Sequence, residues 1–150
     1  MNIPPPLLDR LASEAEATAN PADEQTLSLL RERNINGDAL AYFRDFNFEA
    51  SVDLVSLDPA KDNLGMMDTV TPNCQVWQHG FIPFATDFEG RIYCFNQNDR
   101  DTSGHSKIVR LQYTFGEDTS VADISAAAEH IAPDFNAFLA LYLDSKVDSI

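Results

Sequence analysis

The residues along this chain whose types suit acid–base or metal chemistry are His79, Asp87, His105 and His130, with a scatter of further acids. Hydrolysis needs a nucleophile held beside a base, a pair of carboxylates or a metal cluster, and the spacing of these four does not group them. The chain has no Gly-x-Ser-x-Gly elbow, no His-Glu-x-x-His and no glycine-rich phosphate loop. His79 beside Gly80 reads as a turn histidine, and Asp87 ahead of Glu89-Gly90 as an aspartate bonding the amides of its own turn. Asp99, Asp101, Ser103 and Gly104 match the opening of a calcium loop, but the twelfth position, where a bidentate glutamate belongs, is Arg110. Residues 97–106 are therefore read as a solvated connection between strands. Cys74 and Cys94 form neither a Cys-x-x-Cys pair nor a zinc-ligand spacing, and Cys94 reads as a small core residue. The expectation is no catalytic residue, no metal and no cofactor.

Charge and length bound the remaining functions. With 24 acidic against 10 basic residues the net charge is −14, which repels phosphate backbones and anionic lipid and makes a basic protein the natural partner. The 150 residues fit a single domain with one sizeable core. The opening Met-Asn-Ile-Pro-Pro-Pro has no basic or apolar leader pattern, and no apolar run approaches the roughly 20 residues of a membrane span. The expected location is the cytosol.

The elements that must position these residues are organised around 77–96. Two aromatic and branched runs flank Glu89-Gly90, the signature of a hairpin with glycine at a positive φ. Phe81 and Phe84 would point to opposite sides, as would Ile92 and Tyr93, so this hairpin is expected mid-sheet with both faces covered. Pro83 lacks a ladder donor, so the strand either begins there or is bulged before Phe84. Upstream, Leu7, Leu8, Leu11 and Ala15 predict a helix over 6–18. Asn20-Pro21 predicts a second helix, capped by Asn20 and running to Arg33, and Asn36-Gly37 ends it. Asp38 is expected to cap a third helix through Phe46, with Leu40, Phe43 and Phe46 as its apolar stripe.

Residues 51–57 read as a strand whose alternation slips between Leu54 and Val55, by a bulge or an edge position. Asp58-Pro59 and Asn63-Leu64-Gly65 read as turns, and 64–72 has no clear assignment. Lys107 to Phe115 is the cleanest strand, with Val109, Leu111, Tyr113 and Phe115 on one face and Arg110, Gln112 and Thr114 on the other. Asp123 to His130 reads as helix or as a surface loop. Phe135, Phe138, Leu139 and Tyr142 define a helix over 133–145, with Asp134 in its first turn, that should press on the hairpin. Trp77, between Gln75 and Gln78, reads either as a half-buried core residue or as an interface anchor.

The succession Trp77, Phe81-Ile-Pro-Phe-Ala, Asp87, Gly90, an apolar strand, a polar loop, Ile108-Val109 and then Ile131-Ala-Pro-Asp-Phe-Asn-Ala-Phe-Leu resembles the SUKH superfamily. Phe135, Phe138 and Leu139 stand where that family has its Phe-x-x-Phe-Leu helix. The resemblance covers residues 38–143, and Asp38 to Phe46 stands where the family has a helix before its first strands. The family's Asn-Gly follows that helix, whereas Asn36-Gly37 precedes it here, and residues 1–19 read as an N-terminal helical addition.

The resemblance implies an α+β fold with a central, mostly antiparallel sheet flanked by helices. It also implies a non-catalytic binding role. Bacterial members resemble immunity proteins that occlude polymorphic toxins, often nucleases or deaminases, while Smi/Knr-type members resemble scaffolds and regulators. A basic toxin domain is the partner expected on this reading, with Trp77, Asp87, Glu89, Asp99 and Asp101 as contact residues. A regulator binding an endogenous partner is the alternative. A small-ligand or metal-dependent enzyme using His79, Asp87 and His105 is the third reading.

Overall fold

The computed structural model describes residues 1–69, 76–112, 115 and 118–147. Prolines open the first helix, α1 (Pro5–Glu14), where a missing donor costs nothing, and Leu11 is its buried residue. α1 stops short of the predicted residue 18 because Glu16 turns left-handed, at φ 50°, and sends the chain into β1 (Thr18–Ala19). The cap of α2 (Glu24–Glu32) is Asp23, whose carboxylate accepts from the Thr26 amide at 2.8 Å. Asn20, the expected cap, instead donates its amide to the Phe46 carbonyl. Asn34, at φ 61°, ends the turn after α2.

In α3 (Gly37–Asp45) the cap position is Asn36, not Asp38. Asp38 reaches across the fold, accepting from the Ser106 amide at 2.8 Å and from its hydroxyl at 2.7 Å. Tyr42 and Phe43 carry the buried face of α3, and the expected Leu40 and Phe46 only flank the core.

The slip at Leu54 is neither a bulge nor an edge but a reversal. β2 (Phe48–Val52) and β3 (Val55–Leu57) pair with Val52 opposite Val55, and Asp53 takes φ 52°, a region that aspartate tolerates better than most residues. Asp58-Pro59 then leads into α4 (Ala60–Thr69). Asn63-Leu64-Gly65, expected as a turn, lies inside that helix, where the fully buried Asn63 donates its side-chain amide to the Asp58 carbonyl. Residues 70–75, which include Cys74 and Gln75, lie outside the described residues.

A 3-10 turn, Val76–His79, precedes the central hairpin of β4 (Phe81–Asp87) and β5 (Ile92–Arg100). The register shifts between Pro83 and Ala85, so Pro83 is accommodated by a bulge. The bulge sends Phe84 and Ala85 into the same core. β6 (Ser106–Leu111) ends before the predicted Phe115, and Tyr113 and Thr114 fall outside the described residues. α5 (Val121–Ala127) begins with a capping box between Ser120 and Asp123. It ends at Ala127 because Glu129–Ala132 forms β7 on the edge of β6, a strand the residue pattern did not predict. α6 (Phe135–Leu143) begins two residues after the predicted start at 133, so Asp134 is its cap rather than a first-turn residue, accepting from the Ala137 amide at 2.8 Å.

The fold is α+β: among the described residues six α-helices flank a seven-stranded sheet in which each strand pairs antiparallel with its sequence neighbours, in the order β1 to β7. Both faces of the central hairpin are covered. Phe84, Tyr93 and Phe95 join Tyr42, Phe135 and Phe138 in the larger core, while Phe81, Ile92 and Cys94 pack with Val76, Val109 and Ile124 on the other side. α6 presses on the hairpin, with the Phe84 ring 5.1 Å from Phe138 and 5.2 Å from Phe135. Residues 1–19 contribute Ile3 and Leu11 to the larger core, and Arg10 pairs with Asp144 at 2.7 Å just beyond α6.

One carboxylate opposes folding near neutrality. Asp58 has its pKa pushed up to about 6 by burial, with Asp62 and Glu49 adding repulsion against the Thr86 hydrogen bond. Between about pH 4 and 6 the folded chain therefore holds a proton that the unfolded chain has lost, so stability falls as pH rises through that window. Asp58→Asn, which keeps an acceptor for Thr86, should raise stability at pH 7 by about 1–2 kcal/mol after allowing for partial exposure. Urea unfolding at pH 4 and pH 7 checks this: an equal effect at both would disprove the titration account.

Candidate interaction surface

The β4–β5 turn is built on Asp87. One carboxylate oxygen accepts from the amides of Glu89 and Arg91, each at 3.0 Å, and the other from Arg91 Nε at 2.8 Å and the Tyr93 hydroxyl at 3.0 Å. Gly90 supplies the positive φ, 78°, that the turn requires. Burial taken alone would raise the Asp87 pKa, but the hydrogen bonds from Arg91 and Tyr93 outweigh it and hold the carboxyl below its usual range. Tyr93 is pushed up to about 12 by burial. Above its ring, at 5.8 Å, lies the buried guanidinium of Arg110, which bonds Glu129 at 2.7 Å. This polar chain ties β4 to β7 across four strands.

Asp87 is thus a turn clamp, its side chain only 4% exposed. Glu89 is open to solvent, with one oxygen 3.3 Å from Arg91. Between them stands Phe88, 80% exposed, whose amide donates to the Leu54 carbonyl at 2.9 Å. Leu54, at the β2–β3 turn, is itself 65% exposed. Behind this pair a cleft of about 310 Å³ runs to the end of α6, with Val52, Val55, Tyr142 and Val147 in its walls.

Asp99 and Asp101 lie at the other end of β5. The nine residues of that strand separate the two ends by roughly 26 Å. Asp99 pairs with Lys107 at 3.0 Å. Asp101 accepts from the amides of Ser103 and His105, at 2.8 and 3.0 Å, and faces His105 Nδ1 at 3.3 Å. The His105 amide is the largest of the contacts that lower the Asp101 pKa. Trp77 is half-buried on the 3-10 turn at this same end. Its indole N–H donates to the Met67 carbonyl at 3.0 Å, and the Arg33 guanidinium lies 5.5 Å over its ring.

The five residues singled out in the sequence therefore fall into two groups, Asp87 with Glu89 and Trp77 with Asp99 and Asp101, which the sheet holds apart. His79, whose carbonyl accepts from Asn98 at 2.6 Å, shares an end with His105, while Asp87 is at the opposite end, so those three do not meet. His130 is exposed on β7. Among the described residues no group of three His, Cys, Asp or Glu side chains could hold a metal ion. No helix among them is long and apolar enough to cross a membrane.

Sequence reasoning passed over Phe88 and Leu54. The signal was present: a phenylalanine between Asp87 and Glu89-Gly90 stands at the apex of a turn, where little of the chain can cover it. No family model matches the chain, and no curated protein matches it.

Proposed function

We propose that this is a non-catalytic binding protein of the immunity type that its SUKH-like motifs suggest, acting in the cytoplasm by occluding the active surface of a basic, nuclease-type toxin domain. The observation that carries this reading is the acid excess, −14 over 150 residues, with solvent-exposed acids at the hairpin ends, Asp53 and Glu89 at one and Asp99 at the other. Such a surface is complementary to a protein evolved to grip nucleic acid, and it steers association at rates well above those of uncharged partners. The separation of His79 and His105 from Asp87 also favours binding over hydrolysis.

The test is capture from source cells on the tagged protein, washed at low and then high salt. The expected result is one basic protein, released by salt and toxic when expressed alone. Retention of an ordinary cellular protein that is harmless by itself would replace this reading with the Smi/Knr-type regulator.

A further inference from the structure

The surface at the β2–β3 and β4–β5 turns combines features that do not occur together elsewhere among the described residues. Phe88 and Leu54 are the two most exposed large apolar side chains described, and the Phe88 amide to Leu54 carbonyl bond holds them side by side. Singly exposed apolar residues are ordinary, whereas an aromatic fixed at a turn apex beside a second apolar residue makes a contiguous patch that can anchor an interface, where aromatics are enriched. The anchor is also preorganised. Asp87 pins the turn through four hydrogen bonds, so little backbone freedom remains to be lost on binding.

Charge selects the occupant. Among the residues around the adjoining cleft, Asp53, Asp87 and Glu89 stand against Arg91 alone, an excess of two negative charges. A second copy of a chain at −14 would be repelled, as would nucleic acid or an anionic membrane. The cleft walls also include Tyr142, whose hydroxyl is buried with no hydrogen-bond partner among the described residues. At the far end of β5, Asp99 pairs with Lys107 and Asp101 with His105, as Glu89 does with Arg91, so it is the exposed Phe88 and Leu54 that distinguish this end.

We propose that Phe88 and Leu54, with Asp53 and Glu89 beside them, form the docking surface for a basic protein segment that alternates apolar and cationic side chains. The apolar side chains of the segment pack on Phe88, Leu54 and the cleft wall, and its lysines or arginines meet the exposed carboxylates of Asp53 and Glu89. This rests on the reading of the partner as a basic protein, and it places the contact at one end of the sheet.

The experiment titrates the ¹⁵N-labelled protein with the amidated peptide Arg-Leu-Lys-Phe-Arg-Leu and, separately, with Arg-Ser-Lys-Ser-Arg-Ser, following amide shifts by NMR. The expected result is shifts confined to residues 52–55, 87–91 and 142–147, with the serine peptide binding at least tenfold more weakly. Phe88→Ser should weaken the first peptide by a similar factor while leaving the spectrum of the free protein folded, and Asp53→Asn with Glu89→Gln should remove most of its salt dependence.

Shifts centred on residues 99–105, equal binding of both peptides, or no binding of the first would overturn the proposal. So would a concentration-dependent dimer dissolved by Phe88→Ser, which would make a second copy the occupant. The two readings fail separately. Absence of a toxic basic partner in the capture experiment removes the immunity function without moving these shifts, whereas shifts elsewhere remove this surface and leave the immunity function to another face.

Discussion

Truncating Phe84 to alanine should lower the unfolding free energy by about 3–5 kcal/mol, the usual cost of deleting a fully buried aromatic ring. Phe84 is the point where the sheet, α3 and α6 meet. Its ring lies 4.8 Å from Phe95, 5.1 Å from Phe138, 5.2 Å from Phe135 and 6.4 Å from Tyr42, at tilted or edge-on angles that suit aromatic packing. Removing it leaves a void walled by four rings, none of which can collapse into the space without disturbing the others. A domain of this size has roughly 5–15 kcal/mol in total, so the loss is a large share of it.

Phe88, four residues along the same hairpin, supplies the contrast. Because it is 80% exposed, Phe88→Ala should change stability by no more than about 0.5 kcal/mol. Urea unfolding of the two variants checks the pair together. A cost below about 1 kcal/mol for Phe84→Ala would mean that α6 does not pack on the bulge.

Replacing Asp87 by alanine should cost about 2–4 kcal/mol, because it strips the partner from several groups at once. The amides of Glu89 and Arg91 lose their acceptor, and Arg91 Nε and the Tyr93 hydroxyl lose theirs in a site nearly closed to water. Asp87→Asn retains an acceptor for the amides but not the charge, and should fall between the two.

The pH dependence gives an independent signature. The folded carboxyl titrates below its unfolded value of about 3.9, so the stabilisation is complete above that pH and is lost as pH falls through the folded pKa. Asp87→Ala should therefore lose more stability at pH 7 than at pH 2.5, and its acid limb should be shallower than that of the parent chain. Glu14, Asp23, Asp45, Asp101 and Asp144, whose carboxyls are also lowered, contribute to the acid dependence that remains. An undiminished acid limb in Asp87→Ala would show that Asp87 is not the clamp of this turn.

Several elements were legible because they depend on neighbours along the chain. The apolar face of α6 was written at i, i+3, i+4 and i+7 by Phe135, Phe138, Leu139 and Tyr142, and all four are buried. The two-sided burial of the central hairpin followed from the alternation of Phe81 with Phe84 and of Ile92 with Tyr93, once glycine at position 90 had fixed where the chain reverses. The turn role of Asp87 was legible for the same reason, since its amide partners lie two and four residues away.

What the tertiary structure alone decided involves partners distant in sequence. Glu129–Ala132 has no strand pattern of its own and is a strand because β6 offers it an unpaired edge. Asp38 has the sequence context of a helix cap, yet Ser106, 68 residues on, supplies two better donors and takes its carboxylate. The grouping of the candidate site residues was equally out of reach. Glu89 and Asp99 are ten residues apart, a separation that a helix would hold to about 15 Å and that an extended strand stretches to more than 30 Å. The sequence by itself determined that this chain is acidic, which face of α6 is apolar and where the central hairpin turns; the sheet decided that the candidate acids are divided between two ends, and that Phe88 and Leu54, brought together by the pairing of β3 with β4, stand exposed at one of them.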